Sequence, residues 1–281
     1  MSAPPISVNE ALGRVLRSVA EPVSAERVGI AEAAGRTLAA DLAALRTQPP
    51  FAASAMDGYA VRAADLAAVP ARLTVSGRSV AGSGHAGPVG PGEAIRIFTG
   101  APVPPGADSI VVQDDTDLGE PLVEIREAPV PGRFIRPAGL DFREGEVLLR
   151  AGERLDARRL ALAAAMGHAE LPVRRRPRVA ILATGDELVR PGEPAGPDQI
   201  VASNPYALRA IIERAGGEAI DLGIARDTVD DLNRAIGTAL GSGADLLVTL
   251  GGASVGEHDL VQLALTQGGM ELGFWRVALR P

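Results

Sequence analysis

From residue 179 to about 266 short apolar runs alternate with capped amphipathic stretches, and few folds accommodate that pattern. The runs at 179–183, 219–224 and 245–250 read as strands. Two helices lie between them. One is capped by Asn204, opens at Pro205 and closes on Gly216-Gly217; the other covers 229–240. A third helix follows over about 257–266, and a last strand falls near 274–279. Strands joined through helices pair in parallel and need helices on both faces. The expectation is a three-layer α/β domain with a mostly parallel sheet over 177–281. The run Arg174-Arg175-Arg176-Pro177-Arg178 ahead of it reads as a solvated linker.

The preceding half is built differently. Residues 7–20 predict a helix: Ser7 and Glu10 form a capping-box pattern, and Ala11, Leu12, Val15, Leu16 and Val19 share one face. A second amphipathic stretch covers 30–45, followed by a Pro-containing linker at 46–54. Apolar runs at 72–75, 94–98, 109–112, 122–125 and 146–149, separated by Gly and Pro, predict a small all-β domain. Residues 157–167 read as helical again and are expected to pack back on the first helices. The predicted class is α/β plus β, multidomain: an N-terminal helical domain (1–45 and 146–176), a β domain inserted in it (46–145), and the α/β domain (177–281).

Composition narrows the chemistry. With no Cys, disulfide frameworks, thiolate zinc sites and thiol catalysis are excluded, and a reducing cytoplasm fits. A net charge of −7 disfavours nucleic acid as a partner. The start of the chain does not read as an export signal, and no apolar run is long enough to cross a membrane. All 28 basic residues are Arg.

Ligands of parallel α/β sheets bind at the carboxyl ends of the strands, so three turns matter. The first is Ala183-Thr184-Gly185-Asp186-Glu187-Leu188, where Gly185 permits close backbone approach. The second, Gly223-Ile224-Ala225-Arg226-Asp227-Thr228, places Asp227 as an N-cap candidate. The third, Gly251-Gly252-Ala253-Ser254-Val255-Gly256-Glu257-His258-Asp259, leaves an apolar strand for a helix, and its bare amides with the helix end suit a phosphate. Glu187, Asp227, Glu257 and Asp259 then converge beside phosphate. Carboxylates tolerate that neighbour only with a hard cation between them, and Mg²⁺ is the natural choice. Zinc is disfavoured: the three His residues share no ligand spacing. Two further segments, SAMDGYAVR (54–62) and IFTGAPVP (97–104), read from spacing alone as turn chemistry.

Taken in order, SAMDGYAVR (54–62), IFTGAPVPPGAD (97–108), ATGDEL (183–188), SNPYAL (203–208), GIARD (223–227), GGASVGEHD (251–259) and FWRVALRP (274–281) resemble the MoeA family of molybdopterin molybdenumtransferases along nearly the whole chain. The resemblance implies the family's reaction. Adenylylated molybdopterin and molybdate are taken up with Mg²⁺ or a similar ion. The pyrophosphate link is cleaved, AMP leaves, and molybdenum stays on the dithiolene. It also implies a homodimer whose cleft lies between the α/β domain of one subunit and the N-terminal region of the other, with a molybdopterin adenylyltransferase as a further partner. Residue by residue, it carries acidic site roles onto Asp57, Asp141, Glu187, Asp227 and Asp259, and a hydroxyl role onto Thr99. Glu187, Asp227 and Asp259 would serve the metal. Thr184, Gly185, Gly251, Gly252, Ser254 and Arg280 would hold the ligand.

Two departures stand out. The family's molybdate-binding Lys-Pro-Gly-Lys-Pro begins here as Arg280-Pro281, and Arg276 replaces another usual Lys; Arg keeps the charge and changes the geometry. The family's further C-terminal β domain is not in this sequence, which reads as a C-terminally shortened member. A non-catalytic pterin-binding or scaffold module is therefore the alternative. A molybdopterin adenylyltransferase and a fused nucleotide amidohydrolase fit the N-terminal segments and the domain order less well.

Overall fold

The computed structural model describes residues 5–19, 21–251, 260–274 and 276–279. The chain divides into two compact units, Gly29–Ala34 with Ala40–Leu171, and Met1–Val28 with Gly35–Ala39 and Pro172–Pro281.

The first helix of the chain, α1 (Val8–Ser18), belongs to the second of these. Ser7 caps it, its hydroxyl accepting from the Glu10 amide at 3.2 Å. The Glu10 carboxylate does not complete the capping box and accepts instead from Arg14. Only Ala11 of the expected apolar face is buried; Leu12, Val15, Leu16 and Val19 are 50–68% exposed.

The stretch expected as a helix over 30–45 is not one. It holds a 3-10 turn (Ile30–Glu32) and a two-residue strand (Leu42–Ala43). Gly35 sits at φ +72°, which breaks a helix. Leu38 then bridges Val173, and Leu42–Ala43 pairs with Val147–Leu149. Tertiary pairing overrides the helix propensity of an Ala-rich segment.

The β unit is organised by a five-stranded sheet: β1 (Gly58–Val61), β2 (Ala71–Ser79), β3 (Glu93–Ile97), β4 (Ser109–Val112) and β5 (Leu122–Ile125). The strand order is β4-β1-β3-β2-β5. All pairs are antiparallel except β2 with β3. The period of two explains why β1 is apolar throughout. Tyr59, Val61, Ala94 and Val111 enter one buried cluster, while Ala60, Ile95, Ile97 and Ile110 enter another. A helix, α2 (Ala157–Ala165), is capped by Asp156 and falls in this same unit.

In the α/β unit, β6 (Arg178–Thr184) is the middle strand, flanked by β7 (Glu218–Ala225) and β8 (Leu246–Leu250), and it runs parallel to both. Helix α3 (Asn204–Ala215) packs Ile212 on one face with Val179 and Ile181. Helices α4 (Val229–Gly241) and α5 (Leu260–Gln267) pack Leu232, Ile236, Val261 and Ala264 on the other, with Leu182. Alternate residues of β6 thus point to opposite helical layers, which is why the strand has no polar position in its centre.

Several local expectations are corrected. Ser203, not Asn204, occupies the N-cap of α3, and Gly216 ends that helix at φ +97°. No strand covers the described residues near 274–279. A single parallel bridge joins Val277 to Ile6 there. The basic run is not a solvated linker. Arg174 ends a strand and donates to the Val23 carbonyl at 3.0 Å. Arg175 grips Asp245 with two bonds of 2.7 and 2.5 Å, and the Arg178 amide adds a third at 2.8 Å.

The Arg175 guanidinium, and then the Arg178 amide, hold the Asp245 carboxyl down at about 2, from 3.8. A folded value below the unfolded one adds stability above the unfolded value. That stability is lost as pH falls through the folded value. Asp245→Asn should therefore destabilise the protein by about 1–2 kcal/mol at neutral pH, given the pair's partial exposure. Thermal melts should show the gap from wild type closing between about pH 4 and pH 2.

Candidate functional site

The carboxyl edge of the parallel sheet gathers the predicted turns. Register places Thr184 opposite Ala225 and Ala183 opposite Leu250, so the chain leaves all three strands at one level. The Gly185 amide donates to the Ala225 carbonyl at 3.2 Å, tying the first turn to the second. The Asp186 carboxylate accepts from the Asp227 amide at 3.4 Å. Gly251, at φ +107°, lies so close to β6 that a Cβ there would sit 2.4 Å from the Thr184 carbonyl oxygen. Only glycine fits that backbone and that approach.

Within this edge Thr184 is 3% exposed, and its hydroxyl has no hydrogen-bond partner among the described residues. Gly185 is buried at φ +147°, and the Glu187 carboxylate folds back over it. Asp227 is exposed and is not the N-cap. Thr228 takes that role, accepting from the Asp231 amide at 3.3 Å, so the Asp227 carboxylate has no capping duty in α4.

The structure thus brings together Thr184, Gly185, Asp227 and Gly251, with Glu187 beside them. Gly252, Ser254, Glu257, Asp259 and Arg280 lie outside the described residues. Arg276 is exposed, and its carbonyl accepts from the Ile6 amide at 2.9 Å. Among the described residues no group of three or more acidic or His side chains could hold a metal. Glu187 and Asp227 are nevertheless hard oxygen donors on adjoining turns, the type that Mg²⁺ takes when substrate phosphate supplies the remaining ligands.

In the β unit the structure joins the two segments read as turn chemistry. One Asp57 carboxylate oxygen accepts from both the Thr99 amide, at 2.7 Å, and the Thr99 hydroxyl, at 2.8 Å. Those two bonds, with the Arg96 charge, lower the Asp57 pKa and keep it ionised. Arg96 lies 5.0 Å from the Tyr59 ring and 4.9 Å from the Phe98 ring, and donates to Gly58 and Gln113. Asp57 and Thr99 therefore form one unit, 42 residues apart in sequence. Asp141 is exposed on the antiparallel bridge between Gln48 and Phe142, its amide donating to Gln48 at 3.0 Å.

Residues 6–167 match the MoeA N-terminal region (domain I and II), and residues 180–281 match the probable molybdopterin binding domain. A molybdopterin molybdenumtransferase of Haemophilus influenzae is 36% identical over 98% of this chain and 68% of its own length. The chain belongs to the MoeA family. With that membership comes a role in molybdenum cofactor biosynthesis. A molybdopterin molybdenumtransferase of Nostoc is 40% identical over 91% of this chain and 59% of its own length. A solved MoeA structure from Pyrococcus horikoshii superposes with a TM-score of 0.81 at 34% identity, covering 94% of this chain and 67% of that one. The chain thus spans 59–70% of these and other curated MoeA relatives.

Sequence reasoning missed several residues near the sheet edge. Arg190, Gln199 and Arg226 line a cavity of about 500 Å³ there. The signal available was modest: Arg226 lies inside the GIARD segment, and Arg190 follows the first turn closely.

Proposed function

We propose that this chain carries out the molybdenum-insertion step of cofactor synthesis, cleaving adenylylated molybdopterin, releasing AMP and leaving molybdenum, supplied as molybdate, on the dithiolene. The observation that carries the proposal is the sheet edge itself. A buried Thr184 hydroxyl and an Asp227 carboxylate, both without a hydrogen-bond partner among the described residues, and a forced glycine contact at Gly251 meet where three parallel strands end.

In this reading Thr184, Gly185, Gly251, Gly252 and Ser254 bind the phosphate-bearing pterin. Glu187, Asp227 and Asp259 would hold Mg²⁺, which when bound offsets phosphate charge and polarises the phosphoryl oxygens. Asp57, paired with Thr99, is kept as a carboxylate and so can accept a proton or a cation but not donate a proton. Arg280 binds the ligand with Thr184, Gly185, Gly251, Gly252 and Ser254, and Asp141 and Arg276 are supporting residues. Water cleaves the phosphoanhydride, giving AMP and molybdopterin with a terminal phosphate. The catalytic demand is positioning and charge stabilisation.

A homodimer is proposed as the active form. The exposed apolar side chains of α1, Leu12, Val15 and Leu16, support it. A molybdopterin adenylyltransferase is the proposed supplier of substrate. Cytoplasmic placement is proposed with it; among the described residues no helix is long and apolar enough to cross a membrane.

The test is direct. The protein is incubated with adenylylated molybdopterin, Mg²⁺ and molybdate, and AMP is followed by chromatography. Release that requires Mg²⁺ is expected. Tight binding without AMP release would instead identify a binding module.

A further inference from the structure

We propose that Arg96 is a positioning residue for the Asp57–Thr99 pair: it holds the residue after the carboxylate and the residue before the hydroxyl, and so fixes the two against each other. The inference rests on the reading above in which that pair serves the insertion reaction.

Arg96 is the fourth residue of β3, between the buried Ile95 and Ile97. The period of two turns its side chain to the face opposite theirs, and the register sets it across from Tyr59 of β1. A half-buried guanidinium needs acceptors. It finds two, both neutral. Nη1 donates to the Gly58 carbonyl at 3.1 Å, and Nη2 donates to the Gln113 side-chain oxygen at 2.8 Å.

Each contact bears on the pair. Gly58 follows Asp57 in the chain. Gln113 is tied to Asp57 as well, since its amide donates to the Asp57 carbonyl at 3.0 Å. The guanidinium therefore holds two successive carbonyls, that of Gly58 directly and that of Asp57 through Gln113. On its other side it lies over the Phe98 ring at 4.9 Å, and Phe98 precedes Thr99. The Tyr59 ring, at 5.0 Å, anchors it to the buried cluster that includes Ala94 and Val111. One side chain thus touches both segments between which the Asp57–Thr99 bonds of 2.7 and 2.8 Å are made. Its own bonds go to Gly58 and Gln113 rather than to the Asp57 carboxylate, so the role is positioning.

Charge acts in the same direction. Neither acceptor of Arg96 is a carboxylate, so its charge is not cancelled in a pair. Arg78, opposite it across β2 and β3, is matched instead by Glu120 at 3.9 Å. The Thr99 amide and hydroxyl bonds, and then the Arg96 charge, keep the Asp57 carboxyl below its usual value. A lysine would carry that charge but could not serve two separated acceptors from a planar head lying on two rings.

The experiment compares the full chain as wild type, Arg96→Gln, Arg96→Lys and Gln113→Ala. It measures AMP release in single turnover, substrate affinity, and the pH titration of the Thr99 amide proton by NMR, which reports the carboxylate that the amide is bonded to. Arg96→Gln should slow AMP release about tenfold or more and leave affinity within about twofold. Its Thr99 midpoint should rise. A carboxylate whose depressed pKa rises is protonated at higher pH, so the acid limb of AMP release should move up with it. Arg96→Lys should restore the midpoint but not the rate. Gln113→Ala spares the Tyr59 cluster and should slow release about fivefold; it decides the question if Arg96→Gln does not fold. A residue serving the fold alone would lower the melting temperature and leave the midpoint of the folded protein where it was. That result, or folded variants with wild-type release, would overturn the proposal. A wild type that releases no AMP would remove the insertion reading, and the Thr99 midpoint would still decide whether Arg96 orders the pair.

Discussion

Asp227→Ala is expected to lower AMP release from adenylylated molybdopterin by about a hundredfold or more while the melting temperature stays at the wild-type value. The separation of the two effects follows from where the residue sits. Asp227 starts the turn after β7, but Thr228 caps α4, so nothing in the helix depends on the Asp227 carboxylate. Among the described residues only its amide is engaged, with Asp186, and alanine retains that amide. An exposed side chain with no structural partner costs the fold within about 0.5 kcal/mol when removed. Single-turnover assays beside thermal melts check the prediction. Unchanged turnover would remove Asp227 from the site, and a large fall in melting temperature would assign it to the fold.

Gly58→Ala should lower the melting temperature by about 10 °C and release AMP more slowly as a consequence. Gly58 opens β1 between two neighbours, opposite Ile97 on one side and Val112 on the other. A Cβ there would stand 1.9 Å from the Val111 carbonyl oxygen, a backbone atom that cannot rotate away. Relief requires β4 to shift, disturbing the cluster that contains Tyr59 and Val111. Overpacking against backbone costs about 3 kcal/mol, and each kcal/mol shifts a domain of this size by about 2–4 °C. The same shift would move Asp57, the next residue, away from Thr99, so calorimetry and the rising Asp57 pKa seen by carboxyl NMR should change together. A variant with wild-type stability would show that the strand pair relaxes without cost.

Much of the α/β unit was legible because its elements are locally coded. The apolar run of β6, the Gly216 end of α3 and the span of α4 follow from periodicity and end signals alone. The turns after 184, 225 and 250 were legible for the same reason, since a parallel strand must hand its chain to a turn at one edge. The Ala-rich stretch at 30–45 was not, because its fate is set by distant partners: Val173 for Leu38, and Leu149 for Leu42. The arginine run was misread likewise. Nothing near Arg175 in sequence announces Asp245, 70 residues away.

Sequence alone, then, determined the family, the alternation of three parallel strands with helices in the α/β unit, and which turns gather at one edge of that sheet. All of these rest on short-range patterns of side chains and on motif identity. Tertiary structure decided which side chains are committed and which remain available. Thr228 relieves Asp227 of capping, Thr99 holds the Asp57 carboxylate, and Gly251 lets the chain pass against Thr184. Those outcomes depend on hydrogen-bond partners and steric clearances between residues remote in the chain or competing for one role, and periodicity carries no record of them.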